Sequence, residues 1–354
     1  MIFRRFKKEE MDYATHGLYR YPGKFIPQIP CFLIQQFSKK YDIVLDPFCG
    51  SGTTLVEANL LHRSSYGIDI NPVARLITKV KTKKINIFHL PFFEDFKTDE
   101  ADEGINEECE KFKYSYLFNP ENLMQLLYLR KKIQSGNYDD DMKDFYLVCL
   151  LSIAKMCANI DEHKARIIRK RKAVINVSEI FKKKVCENLK NFVHLNTQVF
   201  AEVIGDNAKK IPLNNNTVDL VVTSPPYLNA LNYREIHKIE LALLNEEIDD
   251  ENYIGVDKEV ADENVESKKL MALEIYFKDM GDAISEIDRV TKRHGRCCII
   301  IDKDRKIQNV KFKFADELTE RAKQSNFVPE DKFYRYTTKE NKSKGERIIV
   351  FRKI

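Results

Sequence analysis

Hydrophobic residues follow two patterns along this chain. Short apolar runs bounded by turn residues recur at 43–45, 65–68, 197–204, 218–222 and 296–301, and read as buried strands. Between them, apolar residues spaced three or four apart mark helices over 28–38, 55–61, 73–81, 228–244, 270–291 and 312–325. Strands alternating with helices predict an α/β fold, with a mostly parallel sheet covered on both faces. Two late segments, 332–336 and 347–351, predict an antiparallel hairpin closing that sheet.

The alternation breaks in the middle of the chain. Segment 95–111 is strongly acidic and reads as a loop or an exposed helix. Leu123, Leu126, Leu127 and Leu129, then Phe145, Leu147, Val148, Leu151 and Ile153, have helical spacing, and 177–193 is amphipathic. The chain therefore divides into a sheet domain, 1–91 with 196–354, and a helical insertion, 92–195. Within the insertion Lys164, Arg166, Arg169, Lys170, Arg171 and Lys172 form a basic run. A solvated helix face is the commoner origin of such a run; contact with nucleic-acid phosphates is the alternative. Segment 13–34 is rich in aromatics, Gly and Pro and should be an ordered loop leading into a helix, whereas the acidic stretch 246–266 should be mobile.

Composition narrows the class without choosing a chemistry. With 354 residues, 43% hydrophobic and 32% charged, the chain can bury a large core. No apolar run approaches the ~20 residues that span a bilayer. The eight cysteines form no CxxC pair, which suggests a reduced, cytoplasmic setting. A net charge of +5 is too small to name a partner, so partners rest on local clusters. The histidines show no metal-ligand spacing, and no metal is expected.

Three strand ends carry the candidate chemistry. Asp46-Pro47-Phe48-Cys49-Gly50-Ser51-Gly52-Thr53-Thr54 reads as strand, glycine turn and helix start, where nucleotide-like ligands bind in open α/β sheets. Asp69, at the end of the next strand, suits a ribose diol, although Asp before Asn71-Pro72 also suits a helix N-cap. Ser224-Pro225-Pro226-Tyr227 comes after a buried strand. Its prolines cannot continue a ladder. The turn offers a hydroxyl, rigid carbonyls and a ring, which suit a planar amino group held by its protons beside a stacked base.

These stretches together resemble the S-adenosylmethionine-dependent DNA amino-methyltransferases. Tyr21-Pro22-Gly23-Lys24-Phe25 resembles motif X of that family, Asp46 to Thr54 motif I, and Asp69-Ile70-Asn71-Pro72 motif II. Gly205-Asp206 is similar to motif III, and Ser224 to Tyr227 to the catalytic motif IV. Asn232-Tyr233 with His237-Lys238-Ile239-Glu240 also resembles the segment after motif IV in one subgroup. The resemblance covers most of the chain outside the insertion. It implies a Rossmann-like class I methyltransferase fold, with a seven-stranded sheet.

The resemblance also assigns roles. Phe48, Gly50, Ser51 and Gly52 would border the methionine half of S-adenosylmethionine. Thr53 and Thr54 would start a helix whose N-terminus favours its carboxylate. Asp69 would take the ribose, Ile70 would pack on adenine beside Asn71, and Asp206 would take the adenine amino group. Lys24 and Phe25 would close over the methionine end. Ser224, Pro225, Pro226 and Tyr227 would hold the target base, turned out of double-stranded DNA. Ser at 224 is more similar to the cytosine-N4 group than to the adenine-N6 group, which more often has Asp or Asn there. The family also implies a cognate restriction endonuclease as a partner. Other readings are adenine-N6 methylation, guanine-N2 methylation of tRNA, and a vestigial nucleic-acid-binding protein. Covalent cysteine chemistry is set aside, because the only Pro-Cys step, Pro30-Cys31, lies far from the catalytic strand.

Overall fold

The computed structural model describes residues 2–3, 6–85, 103–162, 164, 167–226, 232–249, 252–254, 266–301, 305–307, 310–336 and 345–354. After the two-residue strand β1 (Ile2–Phe3) come α1 (Gln28–Phe37), β2 (Ile43–Asp46), α2 (Thr53–Leu60), β3 (Ser64–Ile68) and α3 (Pro72–Thr82). The insertion supplies α4 (Glu103–Lys111), α5 (Pro120–Ser135), α6 (Asp140–Cys157) and α7 (Val177–Leu189). Next are β4 (Ala201–Gly205), β5 (Val218–Thr223), α8 (Tyr233–Ile236), α9 (Lys238–Leu244), α10 (Glu266–Val290) and β6 (Thr291–Ile301). The chain closes with a small ribbon, β7 (Arg305–Ile307) and β8 (Val310–Phe312), then α11 (Phe314–Gln324), β9 (Phe327–Tyr336) and β10 (Gly345–Lys353).

The main sheet has the order β1-β9-β10-β6-β5-β2-β3-β4. From β6 to β4 every neighbour is parallel, and β10 lies antiparallel between β6 and β9. This is the expected seven-stranded Rossmann-like methyltransferase sheet, with β1 added at its edge. Alternation along the central strands explains the burial on both faces. Val44, Leu220, Val222, Cys298 and Ile300 pack toward α1, while Leu45, Val221, Cys297, Ile299 and Ile301 pack toward α10 and α11.

The basic run and the acidic stretch depart from expectation. The insertion shares one core with α3 and α9: Val73, Ile77, Leu126, Phe145, Val148, Phe181 and Ile239 are all fully buried in it. The basic run, however, is not helical. Helix α6 stops at Cys157, and Ala158 pairs with Phe118 while Ile160 pairs with Arg169. The Asn159 side chain accepts from Lys172 N–H and its carbonyl from Lys170 N–H, so the backbone is held extended. Ile167-Ile168 and Val174-Ile175 are β-branched pairs without helical spacing, which favours that choice.

The acidic stretch is also not uniformly loose. Ile248 and Ile254 are buried, and Asn207 donates to Asn252 at 2.7 Å; 250–251 and 255–265 lie outside the described residues. Among the described residues no helix is long and apolar enough to cross a membrane.

Candidate active site

The carboxyl ends of β2, β3, β4 and β5 border one cavity of about 1020 Å³, mouth included. Lys24 and Phe25 line it from the amino-terminal loop, and Phe48, Gly50, Ser51 and Thr53 from the glycine turn. Asp69, Ile70 and Asn71 face it from the end of β3, and Asp206 from the end of β4. Ser224, Pro225 and Pro226 complete it from the end of β5. Tyr227 lies outside the described residues.

Asp69 accepts from Gly50 N–H at 2.8 Å and Asn71 N–H at 2.9 Å. Both oxygens are thus oriented by backbone, with lone pairs left for further donors. Burial raises its pKa, against these two hydrogen bonds. It is not the cap of α3. That role belongs to Asn71, whose side chain accepts from Val73 N–H at 3.0 Å.

Asp46, Gly52 and Thr54 do not line the cavity; they stand behind it. Asp46 is fully buried and accepts from Thr54 Oγ1 at 2.7 Å, Thr223 Oγ1 at 2.6 Å and Phe48 N–H at 3.1 Å. One carboxylate therefore ties the glycine turn, the start of α2 and the residue before Ser224. Burial pushes its pKa up to about 6, opposed by these donors. Gly52 has φ +75°, and a Cβ there would meet Thr78 Cγ2 at 2.7 Å, so its lack of a side chain serves the packing of α3.

A buried polar layer beneath the turn is absent from any motif. Lys81 is fully buried and donates to the Ser51 carbonyl at 2.7 Å; burial and then Lys24 hold its pKa well below the usual lysine range. Glu57 accepts from Tyr13 OH and lies 2.7 Å from His16 Nε2, and burial raises its pKa to about 7. Lys24 donates to the His16 carbonyl at 2.9 Å. Cys49 borders the cavity, with its thiol pushed up by burial.

Tyr21, from the motif X stretch, stacks on Tyr233 at 5.9 Å. Ile248, Asn252, Tyr253 and Ile254, which no motif singled out, also line the cavity. Only the Asn232-to-Glu240 resemblance hinted at Tyr233. The Pro226 carbonyl accepts from Tyr276 OH of α10 at 2.9 Å, which fixes the Ser-Pro-Pro turn.

The basic run lies away from this cavity. Lys164, Arg169, Lys170 and Arg171 are exposed, and Arg169 sits over the exposed Tyr116 ring at 5.3 Å. Lys172 instead turns inward, donating to Glu162 at 2.6 Å and the Lys155 carbonyl at 3.0 Å, so it is withdrawn from the exposed set. Arg166 lies outside the described residues.

A mostly parallel sheet with an antiparallel closing strand carries a glycine turn, a fixed acid after the second of its parallel strands and a Ser-Pro-Pro turn on one rim. The profile of a DNA methylase family matches residues 3–79. The chain is 33% identical over 175 residues to the Type II methyltransferase M.MjaII of Methanocaldococcus jannaschii, covering 46% of this chain and 32% of that one. It is 27% identical over 274 residues to M.MvaI of Kocuria varians (68% and 60%) and 26% identical over 334 residues to M.BsoBI of Geobacillus stearothermophilus (78% and 62%). The matches thus span from a third to about three fifths of those relatives' lengths. The chain is similar to DNA methylases over residues 3–79 and to Type II methyltransferases over up to 78% of its length.

Proposed function

We propose that this protein transfers a methyl group from S-adenosylmethionine to the exocyclic N4 of a cytosine turned out of double-stranded DNA. The observation that carries this reading is the shared cavity: a base-holding Ser-Pro-Pro turn faces the same space as Gly50 and Asp69. The residues fit the cofactor. Gly50 lines the cavity with backbone alone, Asp69 offers oriented acceptors for a ribose diol, and Asp206 and Ala208 also line it. Ile70 and Phe48 supply apolar surface, and the N-terminus of α2 an anion-favouring field.

When bound, S-adenosylmethionine supplies a methyl group already activated on a sulfonium. The remaining work falls to this chain. The Ser224 hydroxyl and the Pro225 carbonyl are the acceptors assigned to the amino protons, on a turn anchored by Tyr276 OH donating to the Pro226 carbonyl. Accepting those protons favours a more tetrahedral nitrogen and stabilises positive charge growing on it. The Asp46 clamp fixes Thr223 and the glycine turn together, which supports the alignment of nitrogen and methyl. Tyr227 is assigned as a stacking wall for the base.

Cytosine N4 rather than adenine N6 rests on Ser224. Mass spectrometry of DNA from cells expressing the protein should find N4-methylcytosine; N6-methyladenine alone would assign the adenine reading. Labelled methyl entering tRNA but not DNA would assign the guanine reading, and absent S-adenosylmethionine binding by calorimetry the vestigial one. Lys164, Arg169, Lys170 and Arg171 are assigned to DNA phosphates. Lys238 and Tyr114 extend the same cation–aromatic face toward α9. The reading also includes a cytoplasmic setting, in keeping with eight free cysteines, and service beside a cognate restriction endonuclease.

A further inference from the structure

His237 joins α8 to α9, and its side chain is fully buried. Its Nδ1 lies 2.8 Å from Asn71 Nδ2. Asn71 Oδ1 is committed to Val73 N–H, so the amide presents its NH₂ to the imidazole. Nδ1 is therefore the acceptor, and the proton of the neutral ring resides on Nε2. Burial, then Lys155, pushes the imidazole pKa down to about 3, so it carries no charge at neutral pH.

The same ring has a second set of contacts. It lies 4.9 Å from the Tyr21 ring and 6.1 Å from the Tyr233 ring, and those two stack on each other. Both tyrosines line the cavity, whereas His237 stands behind them. Asn71, at the other contact, donates its backbone N–H to Asp69. Glu240, one helical turn on, anchors the helix by accepting from Tyr19 OH at 2.9 Å and pairing with Lys155 at 3.0 Å.

We propose that His237 is a positioning residue with two separable tasks: Nδ1 sets the Asp69–Asn71 loop for the cofactor, and the ring face sets the Tyr21–Tyr233 wall for the target base. This rests on the methyl-transfer reading above. Two substitutions divide the tasks. His237→Asn keeps an acceptor near the Nδ1 position and removes the ring; His237→Phe keeps a ring and removes the acceptor.

Calorimetry measures S-adenosylmethionine affinity, and labelled transfer into unmethylated genomic DNA measures kcat and KM. For His237→Asn, cofactor affinity should stay within about twofold while kcat/KM for DNA falls about tenfold or more. For His237→Phe the ranking reverses: cofactor affinity weakens about tenfold, through the donor left unsatisfied on Asn71, while kcat at saturating cofactor stays within about threefold. Should His237→Phe fail to fold, Asn71→Ser removes the same donor, keeps a capping oxygen for Val73, and should reproduce the cofactor defect. Parallel changes in both readouts, or no change in either, would overturn the proposal. If the wild-type protein methylates no DNA, the transfer reading fails by itself. The calorimetric arm then decides the Asn71 task, and unchanged affinity in His237→Phe and Asn71→Ser overturns it.

Discussion

Gly50 and Gly52 share one turn and one backbone region, yet replacing them should have different consequences. Both have positive φ, +50° and +75°, so alanine at either costs about 1–2 kcal/mol in backbone strain. At Gly50 the added Cβ meets Tyr21 Cε1 at 3.5 Å, an ordinary contact. At Gly52 it meets Thr78 Cγ2 at 2.7 Å and Oγ1 at 2.9 Å. Thr78 cannot swing aside cheaply, because its χ1 is restricted in a helix and its hydroxyl donates to the Gly50 carbonyl at 2.8 Å. Overpacking of this kind adds about 1–3 kcal/mol. Gly52→Ala should therefore cost about 2–5 kcal/mol, against about 1–2 for Gly50→Ala. A chain of 354 residues has an unfolding entropy of about 0.7 kcal/mol/K, so the losses in Tm should be about 3–7 °C and about 1–3 °C. Scanning calorimetry of both variants reads this directly. Thr78→Ser, which deletes the nearer atom, should return part of the loss in a Gly52→Ala background. Equal losses at the two glycines, together with no recovery in the double variant, would refute the clash as the cause.

Other substitutions probe the rest of the site. Asp69→Asn turns an NH₂ toward one of the two backbone donors the carboxylate now accepts; S-adenosylmethionine affinity should fall about tenfold to a hundredfold by calorimetry, and an unchanged affinity would remove Asp69 from the site. Glu57 has its pKa raised from 4.5 to about 7, so the fold favours its neutral form. Its stabilisation is complete below pH 4.5 and is lost as pH rises through 7. Glu57→Gln should abolish that loss, worth up to about 3 kcal/mol between pH 5 and 8 by urea unfolding; an identical pH slope in both proteins would count against the buried acid. Replacing Arg169, Lys170 and Arg171 together with Ala should weaken DNA binding and lower the steepness of its salt dependence by about three contacts. Unchanged affinity and slope would return the arm to a solvated surface.

The central sheet was legible because its strands are buried on both faces and therefore read as apolar runs: Leu220-Val221-Val222 needs no tertiary knowledge. The cavity-facing residues of the turns were legible for a related reason, since glycines, paired prolines and strand-end acids have few other uses at those positions. The residues that escaped were set by tertiary contact. Asp69 and Asn71 are both good caps, and only the approach of Gly50 N–H decided between them. Asp46 and Thr54 looked like ligand residues because they share a motif with ligand-facing ones, but their side chains are consumed by Thr223 and each other. The basic arm looked helical because helices flank it; its extended backbone is set by Asn159, a residue with no signal of its own. Lys81 and Glu57 sit in helices whose spacing gives no sign that a lysine and a glutamate would be enclosed.

The shared core of α3, the insertion and α9 limits how this chain can be shortened or recombined. Joining α3 directly to β4 would strip cover from Val73, Ile77 and Val80 and remove Lys155 from the buried Glu240. A truncated version would thus lose the floor under Asn71 and His237 along with the insertion. The extended arm leaves α6 after Cys157 and returns at α7, with Ala158 and Ile160 buried in the shared core and Ile167 and Ile175 packed against it. A swap between relatives should accordingly change only the exposed Lys164, Arg169, Lys170 and Arg171 and keep Ile160, Ile167 and Ile175 with 103–157 and 177–189.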